Sequence, residues 1–439
     1  MMRAEIGVGL VGFGTVGTGV ARVLIENAET IRRRVGVPIR LVRIADLDIA
    51  RDRGISIPPG VLTTDVQQVL TDPRVDIVIE LMGGYDAAKR VILDAVQRGK
   101  QAVTANKALL AVHGEEIFAA ASRQGVDVGF EASVGGGIPV IRALMEGLAA
   151  NNILSIYGII NGTSNYILSR MTSEGQRFDV VLEEAKRAGY AEADPTFDVT
   201  GIDSAHKLTI MVSLAYGTPV NFKEIYTEGI TALTPLDIAY AKEFGFTIKL
   251  LAIAKCLDGE IEARVHPTMV PSSSQIAKVE GVYNAIQLMG DAVEDVVLYG
   301  RGAGSMPTGS AVVGDVMSIA RNLLKNAAGR VPPASYRQDQ RHPLRMRPME
   351  EITSLYYIRF MVLDRPGVLS QIAGVLGRYG ISISSVLQQG RKEGQTVPVV
   401  IMTHMAKERD IQSALREINI MPYISEPTTL IRVEGRDEE

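Results

Sequence analysis

Residues 5–31 read EIGVGLVGFGTVGTGVARVLIENAETI, an alternating strand, a glycine-rich turn and an amphipathic helix in that order. Gly12, Gly14 and Gly17 fill the pattern G-x-G-x-x-G. In that pattern the first glycine permits the tight turn and the second lets the backbone approach a pyrophosphate. The third allows the helix to pack closely on the strand. The helix start then offers free N–H groups to the phosphates. A glycine-rich turn is common by itself. Here a second β-rich run, IRLVRIADLD at 39–48, follows the helix as a Rossmann unit requires.

The alternation continues. VDIVIELMGG (75–84) and KQAVTA (100–105) read as buried strands, and VDVGFEAS (126–133) as another. AAKRVILDAVQRG (87–99) and NKALLAVHGEEIFAAASRQG (106–125) read as helices. Such a series predicts a doubly wound parallel sheet, with its ligand crevice at the carboxyl ends of the strands. Met82, Gly83, Thr104, Asn106 and Lys107 fall at such ends. Asp46 stands where a carboxylate would bind a ribose 2′-hydroxyl and repel a 2′-phosphate, which favours NAD. Arg40, Arg43, Arg51 and Arg53 surround it. They are either solvated charges or a preference for NADP, and the choice of nucleotide stays open.

The chain has 439 residues, 46% hydrophobic and 22% charged, enough for two or three domains with ordinary cores. A formal net charge of −4 gives no reason to expect a nucleic-acid partner. A single cysteine, Cys256, excludes an internal disulfide framework and fits a reducing cytoplasm. It is expected as a buried, inert thiol. The first residues lack a signal-peptide pattern and no apolar run is long enough to span a bilayer, so a cytoplasmic protein without membrane contact is expected.

The middle third carries the chemistry. In FEASVGGGIPVIRALMEGL (130–148), three glycines precede Pro139 at an expected first helical position. The stretch is either a hinge or backbone exposed for an ion or a nicotinamide, and Glu131 with nearby carbonyls suits a hard cation. ILSIYGIINGTSNYIL (153–168) reads as a strand, a polar turn at Asn161–Asn165 and a helix. GYAEADPTFDVTGIDSAHKL (189–208) gathers Glu192, Asp194, Asp198 and Asp203 ahead of Lys207. A helix is expected here with Thr200 or Asp198 as its cap, placing Asp203 and Lys207, four apart, on one face. The following residues are apolar nearly all round, so the pair is expected near a core, where a lysine needs a carboxylate partner or a lowered pKa. The acids upstream suit a cationic substrate such as an amino acid. Lys107 at a helix start opposes the helix dipole, which favours a ligand contact over a structural role. His206 points about 100° away from Lys207 and is expected to be structural.

Taken in order, GFGTVGTGV, TANKALLA, FEASVGGGIPVI, NGTSNYIL, GYAEADPTFDVTGIDSAHKL and GAGSMPTGSAVVGD resemble the homoserine dehydrogenases. The resemblance implies interconversion of L-homoserine and L-aspartate 4-semialdehyde with NADP or NAD. It implies Lys207 as proton donor and acceptor, with Lys107 its partner at the mouth of the site. Glu192 and Asp203 would bind the amino and hydroxyl ends of the substrate, and Asp198 would support the lysine. A monovalent cation, Na+, would lie at Glu131 and the backbone carbonyls of Val134, Gly136 and Ile138. Nucleotide contacts would include Phe13, Thr15, Val16, Thr104, Lys107 and backbone at Gly302–Gly304. Asp46 departs from the family, whose members often carry basic residues there. Rival readings are another nicotinamide oxidoreductase acting on an amino acid and a non-catalytic amino-acid sensor.

Residues 331–352 are rich in proline and arginine and read as a linker. LYYIRFMVLDRPGVLSQIAGVLGRYGISISSVLQQG (355–390) and TVPVVIMTHMAKERDIQSALREI (396–418) then give a βαββαβ pattern. DRPGVLSQIAGVL resembles the ACT signature, in which the turn at Asp364 and Gly367 meets an amino-acid effector. L-Threonine is the natural candidate, and a dimerisation role is the alternative. The expected fold is therefore α/β: a Rossmann-type doubly wound parallel sheet over 1–133, an α+β substrate-binding and dimerisation domain over 134–330, and a C-terminal ferredoxin-like ACT domain over 353–433. Residues 306–330 would return to the nucleotide domain as a helix, and the assembly would be a homodimer or homotetramer.

Overall fold

In the computed structural model, which describes residues 3–388 and 395–435, the glycine-rich strand Ile6–Val11 lies at the centre of a six-stranded parallel sheet. Residues 1, 2, 389–394 and 436–439, some of which fall in the expected nucleotide-binding and ACT ranges, lie outside the described residues. The chain divides into two units. The first runs to Gly162 and adds Asp203–Ile225 and Val282–Leu344; the second takes Thr163–Ile202, Tyr226–Gly281 and the chain from Arg345.

In the first unit the sheet runs Leu62–Thr63, Ile39–Ala45, Ile6–Val11, Ile77–Glu80, Gln101–Thr104, Val128–Gly129. Strand order reverses between Ile6–Val11 and Ile77–Glu80, so a switch point opens at their carboxyl ends, where Val11 pairs with Glu80. Every residue of Ile6–Val11 is buried, as a strand covered on both faces must be. The last strand is shorter than the sequence pattern predicts. It stops at Gly129, and Glu131–Ser133 turn as a 3-10 helix. A Cβ at Gly129 would lie 2.7 Å from the Cβ of Asp315, so the strand end is pressed against helix Ser305–Leu324. That helix shares a core with Thr15–Glu26, through Val312, Val313 and Val316 against Val20, Val23 and Leu24.

Three expected boundaries move. Pro139 occupies the cap position, and the helical residues start at Val140. Helix Gly162–Glu174 begins before Asn165, so the polar run read as a turn is mostly its first turn. Helix Ile202–Tyr216 starts after Gly201, whose φ is 86°. The residue directly before it is Gly201, not Thr200 or Asp198. Both belong to the preceding turn, where the Thr200 hydroxyl donates to the Thr196 carbonyl at 2.6 Å. Residues Asp203–Ala215 of the long helix are all buried.

The stretch read as a linker is anchored in the first unit as far as Leu344. The Tyr336 ring covers Gly217 and its hydroxyl donates to the Ala215 carbonyl at 3.1 Å. Arg341 is bidentate to Glu115 at 2.6 and 2.7 Å and donates to the Ser213 hydroxyl at 2.9 Å. Regular secondary structure is sparse here, yet side chains hold the backbone.

The second unit contains the hairpin Phe246–Leu257 and Glu260–Pro271, closed by Asp258 and Gly259, both at positive φ. The ACT sheet runs Thr429–Val433, Thr353–Leu363, Thr396–Thr403, Ile383–Leu387, with helices Val368–Arg378 and Glu408–Asn419 packed on it. This is the ferredoxin-like arrangement expected. Its edge strand continues into the hairpin, pairing Thr268 with Arg432 and Met269 with Val433. Among the described residues no helix is long and apolar enough to cross a membrane.

Lys249 is buried in this hairpin and donates to the Val279 carbonyl at 2.6 Å. Burial pulls its pKa down to about 8. Above about pH 8 the folded amine is neutral while the unfolded chain still binds the proton until about 10.5, so stability rises with pH in that window. Chemical unfolding of wild type and Lys249→Met across that range should show the wild type gaining roughly 3 kcal/mol relative to the variant, about 1.4 kcal/mol per pH unit. A flat difference would refute the depressed pKa.

Candidate active site

Lys207 and Asp203 meet on one face of the buried helix as the four-residue spacing requires, Nζ lying 2.7 Å from Oδ2. The same ammonium donates to the Ile160 carbonyl at 2.7 Å, at the end of strand Ile153–Ile159. Asp203 also takes a 2.9 Å hydrogen bond from the Asn161 amide. Its other oxygen is 3.0 Å from the ammonium of Lys107, the first residue of helix Lys107–Gln124. One buried carboxylate therefore serves two lysines from distant parts of the chain. Burial acts to raise its pKa, but the Lys207 and Lys107 ammoniums outweigh it and hold the carboxyl well below the ordinary range. The Lys107 side chain is 41% exposed and that of Lys207 10%, so the first faces the opening and the second the interior.

Lys107 is positioned by a cap that also ties its helix to the turn after strand Ile77–Glu80. The Asn106 side chain accepts from the Leu109 N–H at 3.1 Å and donates to the Gly84 carbonyl at 2.7 Å. Glu80, fully buried at the end of its strand, accepts from the Met82 N–H at 2.7 Å and the Thr104 hydroxyl at 2.7 Å. Burial raises its pKa. Thr104 is thus turned inward to Glu80, while Met82 is exposed at the crevice.

The glycine loop matches its sequence roles closely. A Cβ on Gly12, at φ 97°, would fall 2.6 Å from the Leu81 carbonyl, and one on Gly17 would fall 2.2 Å from the Gly12 oxygen. A Cβ on Gly14 would meet nothing within 4 Å, and the residue is exposed. Thr15 and Val16 open the helix, and the Ser305 hydroxyl donates to the Thr15 carbonyl at 2.7 Å. Gly304, at φ 123°, caps the helix bearing Ser305. Asp46 accepts from the Phe13 N–H at 2.5 Å and pairs with Arg53 at 3.3 Å. The Arg53 guanidinium lies 4.6 Å above the Phe13 ring and donates to the Phe13 carbonyl at 2.5 Å. Of the four arginines, Arg53 alone makes a hydrogen bond to the loop; Arg40 pairs with Glu5, and Arg43 with Asp72.

Glu131 is buried, and its carboxylate accepts the Ile141 N–H at 2.8 Å and the Arg142 N–H at 2.9 Å. Its own N–H donates to Asp315 at 2.8 Å. Burial, with the Glu131 charge added, pushes the Asp315 pKa up to about 7. Val134, Gly136 and Ile138 follow on the same buried turn, with Gly136 at φ 56°. Among the described residues no three His, Cys, Asp or Glu side chains are arranged to hold a metal ion.

In the second unit, Glu192 is exposed and Asp198 half-buried, its carbonyl accepting from the Ser164 hydroxyl at 2.9 Å. Asp194 is engaged locally, accepting the Thr196 hydroxyl at 2.5 Å. Asp364 and Gly367 line a cavity with Val362, Gln388 and Val399, and Gly367 takes φ 89° as the helix cap. His206 stacks on Phe222 at 4.3 Å in the first unit, and burial lowers its pKa. Cys256 is half-buried, more open than the sequence pattern predicts, with burial raising its pKa.

The family models for homoserine dehydrogenase and for its NAD binding domain match residues 139–317 and 12–131. A homoserine dehydrogenase of Neisseria gonorrhoeae is 48% identical over 430 residues, covering 98% of this chain and 99% of its own. The chain belongs to the homoserine dehydrogenase family. An ACT model matches residues 356–422. A homoserine dehydrogenase structure from Thiobacillus denitrificans, 46% identical, has a TM-score of 0.93 over 98% of both chains. A hyperthermophilic archaeal homoserine dehydrogenase solved with NADPH, 27% identical, has a TM-score of 0.61 over 72% of this chain and 97% of its own. Membership makes the chain a nicotinamide-dependent oxidoreductase.

Sequence reasoning missed Glu80, Ser305 and the hydrogen bond from Asn161 to Asp203. Asn161 lay in a polar run already noticed, whereas Glu80 reads as one acid in a buried strand. Its burial beside strand-end residues was the available signal.

The glycine loop gives a paired test. Gly17→Ala must displace backbone and should cost about 1–3 kcal/mol of stability, read by chemical unfolding. Gly14→Ala should unfold like wild type but weaken nucleotide binding by roughly tenfold, read by titration calorimetry. Equal effects on both readouts in both variants would refute the division of roles.

Proposed function

We propose that this chain interconverts L-homoserine and L-aspartate 4-semialdehyde, with Lys207 moving the proton. The carrying observation is the Asp203 carboxylate shared between Lys207 and Lys107. In aldehyde reduction Lys207 gives its proton to the substrate oxygen; in alcohol oxidation the neutral amine takes the hydroxyl proton. The nicotinamide, when bound, supplies the carbon that gives or takes the hydride. As Lys207 loses its charge, Lys107 still neutralises Asp203, so the buried carboxylate is never left without a cation. We assign Glu192 to the substrate ammonium, Asp203 to its hydroxyl end and Asp198 to support of the lysine.

The remaining assignments follow the same division of the chain: nucleotide binding over 1–133, substrate binding and dimerisation over 134–330, a linker over 331–352 and regulation over 353–433. Gly12, Phe13, Gly14, Thr15, Val16, Gly17, Met82, Thr104, Lys107 and Gly304 contact the nucleotide. The cofactor is NADP or NAD: Asp46 would repel a 2′-phosphate, while Arg53 and the Phe13 N–H offset its charge. Glu131 with the carbonyls of Val134, Gly136 and Ile138 holds Na+. The fit rests on hard oxygen donors alone and on carboxylate oxygens that each accept one N–H and keep a second lone pair. L-Threonine acts as effector at Asp364 and Gly367. The enzyme is a cytoplasmic homodimer or homotetramer in the route to threonine, methionine and isoleucine.

Absorbance of the reduced nicotinamide, followed with L-homoserine and either nucleotide in the presence of Na+, tests the reaction; no change with either nucleotide would overturn it. Lys207→Met should lower kcat by about 10²–10⁴-fold and leave nucleotide affinity unchanged. A variant with wild-type turnover would remove Lys207 from proton transfer.

A further inference from the structure

The turn that carries Asp198 rests on a short segment of the same unit. A Cβ on Gly229 would lie 2.2 Å from the Val199 oxygen and 2.6 Å from the Thr200 Cα, so no side chain fits there. The Ile230 N–H donates to the Val199 carbonyl at 2.9 Å. Gly201 faces the same segment, a Cβ there falling 3.1 Å from the Thr227 methyl and 3.3 Å from the Glu228 oxygen. Residues 199–201 are thus pressed onto 227–230, and helix Ile202–Tyr216 starts directly afterwards.

Glu228 fixes that segment from the other side. Its backbone N–H donates to the Val265 carbonyl at 2.8 Å, and its carboxylate takes the Tyr226 hydroxyl at 2.9 Å and a guanidinium N–H of Arg432. Arg432 belongs to the last ACT strand and is buried, bonded to both oxygens of Glu408 at 2.5 and 3.1 Å, with its guanidinium 5.2 Å from the Tyr226 ring centre. Glu408 opens the second ACT helix and donates its N–H to Ile352 at 2.8 Å. A buried arginine with two carboxylates is held from several directions, so it fixes position rather than merely adding charge.

We propose that Arg432 and Glu228 are positioning residues through which the last ACT strand sets the place of the substrate turn 198–201. The ACT domain is then a structural part of the substrate site whatever ligand it binds. This rests on the reading of Asp198 and its neighbours as substrate-site residues.

Deleting Arg432 would strand Glu408 as a buried unpaired charge and threaten folding. The link is better cut at Glu228, whose side chain is 36% exposed, leaving Arg432 paired with Glu408. In the full chain, Glu228→Ala should raise the KM for L-homoserine about two- to thirtyfold, the span of couplings carried through packed networks. The KM for nucleotide and the thermal midpoint should stay unchanged, and Glu228→Gln, which keeps an oxygen acceptor for Arg432, should recover part of the loss. Amide hydrogen exchange at residues 199–203 should quicken in Glu228→Ala. Unchanged exchange with an unchanged homoserine KM would overturn the proposal, as would equal increases in both KM values. A wild type without homoserine turnover would refute the function instead, and exchange at 199–203 would still decide the positioning role.

Discussion

The carboxylate of Asp203, buried and divided between the ammoniums of Lys207 and Lys107, is the constraint on which the first unit depends. A carboxylate taken out of water loses several kcal/mol of hydration unless cations replace it. Two helices and a strand end must therefore meet within hydrogen-bond distance of one atom pair. Those helices are clamped further along as well, Arg341 joining Glu115 on one to Ser213 on the other. A small rotation of either helix would separate charges in a low-dielectric interior. Such a geometry is stiff, and it keeps the Lys207 amine aimed in one direction.

The nucleotide loop is stiff for a different reason: there is no room to be otherwise. Gly12 and Gly17 touch backbone, and Gly19 and Gly309 let two helices cross at backbone contact. Gly14, by contrast, is exposed, and a Cβ there would meet nothing within 4 Å. Glu80 extends this order to the neighbouring strand ends by joining Thr104 to the Met82 turn. Asp46 is held from two sides, by the Phe13 N–H and by Arg53.

In the second unit the ACT sheet and the hairpin at 246–271 form one hydrogen-bonded surface. Arg359 on the ACT strand is bidentate to Asp237, at 2.6 and 3.1 Å, and Asp237 also closes the capping box of helix Pro235–Glu243. A charge pair that is also a helix cap ties folding of the two parts together. A proline-rich connection gives no sign of this, since composition describes the connecting chain and not the surfaces it brings into contact.

The sequence by itself determined what local geometry controls. The glycine spacing reports the turn because only a residue without Cβ fits its contacts. The Asp203–Lys207 pair is legible because four residues make roughly one helical turn. The strand and helix periods gave the sheet and the ACT pattern, while boundaries such as Gly129 and Ile202 slipped because tertiary contacts ended the elements. The structure alone decided that Lys107 joins the Asp203 pair, that Asn161 and Ile160 complete it, that Glu80 is a tie and not a spare acid, and that Arg432 reaches Glu228. Each of those contacts links residues tens to hundreds of positions apart. Their meeting depends on how packed elements dock, which leaves no repeating mark in the order of residues.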